Sequence, residues 1–160
     1  MLSRNEAAKE QWAGLHKALD RWLDERQDLL VRYCKLAGLP PYTGKNEQLP
    51  AAIDIREFCE ILVDYVSAGH FELYDHILDE ASAHNQSTLA FGKKIFPMIS
   101  DTTEVALRFH DTYAEAIDTD ALPNFTNDIS ELGEALQNRL DLEDKLIALL
   151  EEHEVIGANE

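Results

Sequence analysis

The chain has 160 residues, 45% of them hydrophobic, and a formal net charge of −17. That length suits one domain with a core of its own, without staples, and the charge argues against unassisted binding to nucleic acid or an anionic membrane, since phosphates would be repelled. Cys34 and Cys59 stand in different helical patterns and make no Cys-x-x-Cys pair, which fits a reducing compartment.

The first helical pattern runs from about Asn5 to Ala37, with Trp12, Leu15, Leu19, Trp22, Leu23, Leu30 and Tyr33 on one face. No apolar run of signal length precedes it, and no stretch of the chain approaches the roughly 20 apolar residues that span a bilayer. A cytoplasmic protein is expected. Gly38 and the Pro40–Pro41 pair stop the helix, and a loop rich in Gly, Pro, Thr and Asn follows to about Leu49.

Pro50 suits the first turn of the second pattern, where a missing N–H costs nothing. This pattern reaches about Ala83 and carries two stripes. Cys59, Leu62, Val66, Leu73 and Ile77 repeat as a core-facing stripe must. Glu57, Glu60, Asp64, Ser67, Phe71 and Asp75 lie within roughly 60° of Asp64 on the other side, at about 100° per residue. A solvated face has no physical need of a phenylalanine. An apolar anchor ringed by carboxylates is what a contact surface for a basic partner looks like. The plainer reading is a solvated acidic face with an ordinary exposed aromatic, or a helix broken at Gly69 so that Phe71 is buried.

A polar link from Ser82 to Ser87 leads to the third pattern, whose stripe is Phe91, Ile95, Met98, Val105, Phe109, Tyr113 and Ile117, with a bend expected at Pro97. Asp118 to Asn124 reads as a turn. The fourth helix runs from about Asn124 to Glu152, with Phe125, Ile129, Leu132, Leu136, Leu140, Ile147 and Leu150 inward, and the tail at about 153–160 is expected to fray. Four amphipathic helices, no strand alternation and mostly short links predict one all-α domain over 1–160, an antiparallel four-helix bundle.

Charged residues interrupt the apolar stripes. Arg26 falls mid-face on the first helix and Glu143 on the fourth; His70 lies towards the core side of the second, and Arg139 stands one turn before Glu143. Unpaired charges there would be costly, so the four are expected to form a buried polar layer that fixes helix register. The competing reading is a metal-binding bundle, a sensor related to hemerythrin-like proteins, since inward carboxylates and histidines build di-iron sites in such folds. No Glu-x-x-His pair lies on a core stripe, however. His76 and Glu80 stand off the apolar face, and His16, His84, His110 and His153 are scattered. No metal or other cofactor is expected. Histidine phosphotransfer fares no better: His70 is followed by Glu72 and Asp75, and His110 by Asp111, all of which repel phosphate. With no phosphate cradle or nucleophile elbow either, the chain does not read as an enzyme.

The run Leu62-Val63-Asp64-Tyr65-Val66-Ser67-Ala68-Gly69-His70-Phe71, then Tyr74 and Ile77-Leu78, resembles the hallmark segment of the Rsd/AlgQ family of bacterial anti-sigma factors. Asp20-Arg21-Trp22-Leu23, Arg26 and Leu29-Leu30 resemble the family's first helix. Gly133-Glu134-Ala135-Leu136, Arg139 and Leu142 to Ile147 resemble its last. The loop around Pro40 to Pro50, the Ser82 to Ser87 link and the tail carry no matching pattern. The resemblance implies a regulator that sequesters the primary sigma factor through its region-4 domain, a basic helix-turn-helix that reads promoter DNA and docks on core RNA polymerase. It implies contact through Asp64, Ser67 and Phe71, with Tyr65, His70 and Glu60 beside them. Asp64 would pair with an arginine, Ser67 would permit close approach, and Phe71 would fill a pocket. The free protein is expected to be a monomer.

Overall fold

In a computed structural model of the chain, residues 2, 17–40, 50–69, 74, 86–117 and 123–159 are described, with backbone alone at 17–18, 86–88 and 150–159. Four helices account for nearly all of them: α1 (Lys17–Ala37), α2 (Ala52–Ala68), α3 (Gln86–Tyr113) and α4 (Phe125–Asn159). Each packs on the next in chain order, and α1 closes the ring against α4. The result is an antiparallel four-helix bundle.

Local chemistry sets the described ends. Gly38 takes φ 67°, the left-handed conformation open to glycine, and the Leu39 N–H reaches back to the Cys34 carbonyl at 2.9 Å. That is the bonding of a glycine-terminated helix. At the start of α2 the Ala51 carbonyl accepts from the Asp54 and Ile55 N–H groups. The Arg56 guanidinium donates to the Ala116 carbonyl, tying this turn to the chain just beyond α3.

The core is continuous along the bundle. Leu19, Leu23 and Leu29 of α1, Ile55, Phe58, Cys59 and Leu62 of α2, and Leu132, Leu136 and Ile147 of α4 are all buried. Phe109 of α3 meets Phe58 edge-on at 5.9 Å between ring centroids and lies 4.7 Å from Tyr113. Packing also explains one glycine. A Cβ at Gly133 would collide with the Tyr33 hydroxyl, which donates to the Ile129 carbonyl at 2.9 Å. Only a residue without a side chain lets α1 and α4 approach so closely there.

The third helix departs from its expected stripe. Met98 is 51% exposed and Ile117 is 89% exposed. Ile95, Ile99, Thr102, Ala106, Phe109 and Tyr113 form the inward row instead, at alternating steps of four and three. Met98 stands at the edge of that row, where Ile99 takes the core position, and Ile117 lies past the helix end at Tyr113. The helix runs through Pro97 without a break. The last helix continues to Asn159, beyond the end expected at Glu152. The expected helical turns before Lys17, most of the loop to Leu49, the second pattern beyond Gly69 apart from Tyr74, residues 82–85 of the expected link (whose Gln86 and Ser87 already belong to α3), and most of the Asp118 to Asn124 turn lie outside the described residues.

Candidate functional site

Helix α2 presents two chemically opposite faces. Its inner face buries Ile55, Phe58, Cys59, Leu62, Tyr65 and Val66. Its outer face exposes Glu57, Glu60, Asp64 and Ser67, three carboxylates and a hydroxyl in line over about three turns. The near end of this row is partly neutralised by α1: the Arg32 guanidinium lies 3.7 Å from Glu57 and 3.4 Å from Asp28. Expected contact residues Phe71 and His70 lie outside the described residues.

Tyr65 is not on the contact face. It is 2% exposed and points into the bundle, where its hydroxyl donates to the Glu143 carboxylate, 2.9 Å from Oε1 and closer still to Oε2. The reason is rotational. Tyr65 neighbours Leu62 and Val66 on the helical wheel and so follows the core stripe, although it adjoins Asp64 in sequence.

Around Glu143 a polar layer draws on every helix. Arg26, Arg139 and Glu143 are each 0–1% exposed. Arg139 Nε lies 3.0 Å from Glu143 Oε1, one turn along α4, and Arg139 Nη1 donates to Thr103 Oγ1 at 2.7 Å and Thr102 Oγ1 at 3.2 Å on α3. Arg26 of α1 donates from Nη2 to Asp144 Oδ1 at 2.8 Å. The guanidinium of Arg26 lies 5.6 Å from the Trp22 ring centroid, and that of Arg139 lies 5.7 Å from Tyr65 and 5.8 Å from Tyr74. Trp22 and Tyr65 stack at 5.5 Å. These contacts give the buried charges fixed partners, although Arg26 Nε and Nη1 and Arg139 Nε and Nη2 make no hydrogen bond among the described residues.

The electrostatics follow from that packing. Burial pushes the Glu143 carboxyl above its ordinary value, while Arg139, Arg26 and the Tyr65 hydroxyl act in the opposite sense. Burial and then the Glu143 charge hold the Tyr65 phenol protonated far above its usual range. Burial would lower both arginines, but the surrounding carboxylates and phenols more than offset it. Sequence periodicity alone points to Arg26, Arg139 and Glu143. It misses Trp22, which reads simply as core, and Tyr65, Tyr74, Thr102, Thr103 and Asp144, which no local pattern marks as partners of this layer.

Among the described residues no group of three or more His, Cys, Asp or Glu side chains could hold a metal ion. Nor is any described helix long and apolar enough to cross a membrane. What the site can do chemically is present negative charge on a rigidly held helix.

Comparison with known proteins gives a consistent result. The family model described as "Regulator of RNA polymerase sigma(70) subunit, Rsd/AlgQ" matches residues 1–151. The chain is 43% identical over 155 residues to a "Regulator of sigma D" of Salmonella newport (strain SL254), covering 94% of this chain and 91% of that one. It is 37% identical over 148 residues to the protein of that name in Yersinia enterocolitica serotype O:8 / biotype 1B, covering 92% and 88%. A Yersinia pestis protein of the same name is 38% identical over 148 residues, covering 92% and 87%.

Proposed function

Because the chain belongs to the Rsd/AlgQ family of regulators of the RNA polymerase sigma(70) subunit, we propose that it is an anti-sigma factor acting through the outer face of α2. It binds the region-4 domain of the primary sigma factor and withholds it from core RNA polymerase, in the cytoplasm and without chemistry of its own. The observation that carries this reading is the exposed row Glu57, Glu60, Asp64 and Ser67 on a helix anchored from behind by Tyr65 and Glu143. A basic helix-turn-helix built to meet phosphates is complementary to such a row. The chain's net charge of −17 adds long-range attraction to the same partner.

Within this reading Asp64 pairs with a partner arginine, Ser67 lets the two backbones approach, and Glu60 widens the acidic patch. Phe71, next in the sequence repeat, supplies the apolar anchor, with His70 beside it. Tyr65, buried against Glu143, belongs to the scaffold and makes no contact with the partner. The free protein is a monomer in this scheme.

The test is a titration of the purified chain against the isolated region-4 domain across ionic strength. Surface charges are screened over about 8 Å at physiological salt, so affinity should fall as salt rises and then level off where the apolar anchor remains. No binding at low salt would reject the partner. Salt-independent binding would reject the acidic face as its docking surface.

A further inference from the structure

Two helices share the charged face, and they do not carry the same sign. On α2 the exposed row opens at Glu57 and continues through Glu60 and Asp64 to Ser67. Across the seam, α1 sets Arg32 against the near end of that row. Its Nε lies 3.4 Å from Asp28 Oδ1 and its Nη1 lies 3.7 Å from Glu57 Oε2, so one guanidinium bridges the two helices with different nitrogens. Arg56, the residue before Glu57, does not share this task, because its guanidinium donates to the Ala116 carbonyl. Among the described residues Glu60 and Asp64 have no ion-pair partner. The row is therefore bare along its middle and covered by a cation at its start.

That cation is open to exchange. The side chains of Arg32, Asp28 and Glu57 are 41%, 55% and 53% exposed, and the Glu57 contact is longer than a hydrogen bond. Exposed pairs hold weakly, because water screens them and ordering two long side chains costs entropy. The place also falls within reach of a docked partner. Glu57 stands two turns before Asp64, about 10 Å along the helix axis. A standard interface buries about 800 Å² on each side, a patch of roughly 16 Å radius. A footprint centred on Asp64 takes in Glu57 and the guanidinium beside it. Within that footprint Arg32 carries the same sign of charge as a basic partner.

We propose that Arg32 is an internal competitor of the partner. In the free chain it occupies the Asp28 and Glu57 carboxylates, and on docking a basic side chain of the region-4 domain displaces it and takes its place. This inference rests on the reading of α2 as the docking face for that domain, and adds to it a residue of this chain that lowers affinity. It also sharpens selection. A partner with no cation in register with Glu57 leaves Arg32 where it is and gains nothing from these carboxylates, so discrimination comes from a built-in opponent as well as from attraction.

The experiment measures the affinity of the full chain for the isolated region-4 domain at low salt, comparing Arg32→Gln with Arg108→Gln. Arg108 serves as the control because it lies 3.7 Å from Glu131 at the α3–α4 seam, across the ring of helices, and its loss changes the net charge equally. Both side chains are exposed, so circular dichroism should show the wild-type helix content. Arg32→Gln should bind about two- to fivefold more tightly than Arg108→Gln, the scale of one exposed ion pair. Glu57→Gln should then cost more affinity in the Arg32→Gln background than in the wild type, where losing the partner's contact is offset by no longer having to break the one with Arg32. Equal affinities of the two arginine variants would overturn the proposal by placing Arg32 outside the footprint. Weaker binding by Arg32→Gln would overturn it by making Arg32 a contact or a support for Glu57. Absence of binding by every form, wild type included, would instead reject the region-4 reading, and the proposal with it.

Discussion

Truncating Glu143 to alanine would remove the shared acceptor of the polar layer and test whether that layer belongs to the scaffold or to the binding surface. Glu143 is fully buried. Its loss strands the Tyr65 hydroxyl, bonded to it at 2.9 Å, and leaves Arg139 Nε without the oxygen 3.0 Å away. Arg139 keeps Thr102 and Thr103 as acceptors, and Arg26 keeps Asp144, so the damage is confined to one carboxylate's worth of contacts. Breaking one partner out of a buried ion pair typically costs about 3–5 kcal/mol. For a chain of this size, 1 kcal/mol moves the melting temperature by about 2–4 °C, so a fall of roughly 6–20 °C is expected. Urea denaturation followed by far-ultraviolet circular dichroism gives the free energy, and an unchanged m-value would show that the unfolded state is not the cause. Affinity for the region-4 domain, measured where the variant is fully folded, should stay within about twofold, since Glu143 reaches no surface. A stability loss below about 1 kcal/mol would refute the account of the layer, because a stranded buried phenol and guanidinium cannot be that cheap.

Asp64→Ala should weaken region-4 binding by about 1–3 kcal/mol if it is a central contact, while calorimetry shows a nearly unchanged melting temperature because the side chain is exposed; Phe71→Ala should weaken binding comparably and flatten the salt-resistant part of the titration. Gly133→Ala should destabilise by about 2–4 kcal/mol through overpacking and loss of the Tyr33 hydrogen bond, and adding Tyr33→Phe should recover part of it, an interaction that a double-mutant cycle reads and strict additivity would refute. Burial raises Tyr33 and Cys59 to about 12 from ordinary values of 10.0 and 9.0. Each keeps its proton longer when folded than when unfolded, so the associated stability is intact below about pH 9 and should be lost progressively up to about pH 12, visible as falling melting temperatures. For the same reason Cys34 and Cys59, both buried with raised values, should resist alkylation in the native state and react only as denaturant unfolds the chain.

Apolar periodicity carries most of the fold. The rows through Leu19 to Tyr33, Cys59 to Val66 and Phe125 to Ile147 predict both the helices and their buried faces, and Gly38 marks a helix end by a property visible in sequence. Met98 fails because a stripe read at steps of three and four has two admissible phases, and the choice between Met98 and Ile99 depends on how α3 rolls against its neighbours; Ile117 fails because the helix ends at Tyr113. Tyr65 fails for another reason: the resemblance implied it as a contact, whereas its place on the helical wheel beside Leu62 and Val66 turns it into the core. The bridge from Arg32 of α1 to Glu57 of α2 is of another kind. It is fixed by the relative height and rotation of separate helices, which no local pattern encodes.

The polar layer also has a kinetic meaning. Arg26 and Asp144 are 118 residues apart in the chain, and Tyr65 and Glu143 are 78 apart. Contacts that close such long loops are entropically expensive to make early, whereas neighbouring helices can collapse through their apolar stripes alone. The layer should therefore assemble last, after collapse has brought all four helices together. Interactions absent from the folding transition state slow unfolding rather than speed folding. Arg26, Tyr65, Arg139 and Glu143 would then act chiefly as a latch on the finished bundle, setting how long a folded molecule lasts before it opens.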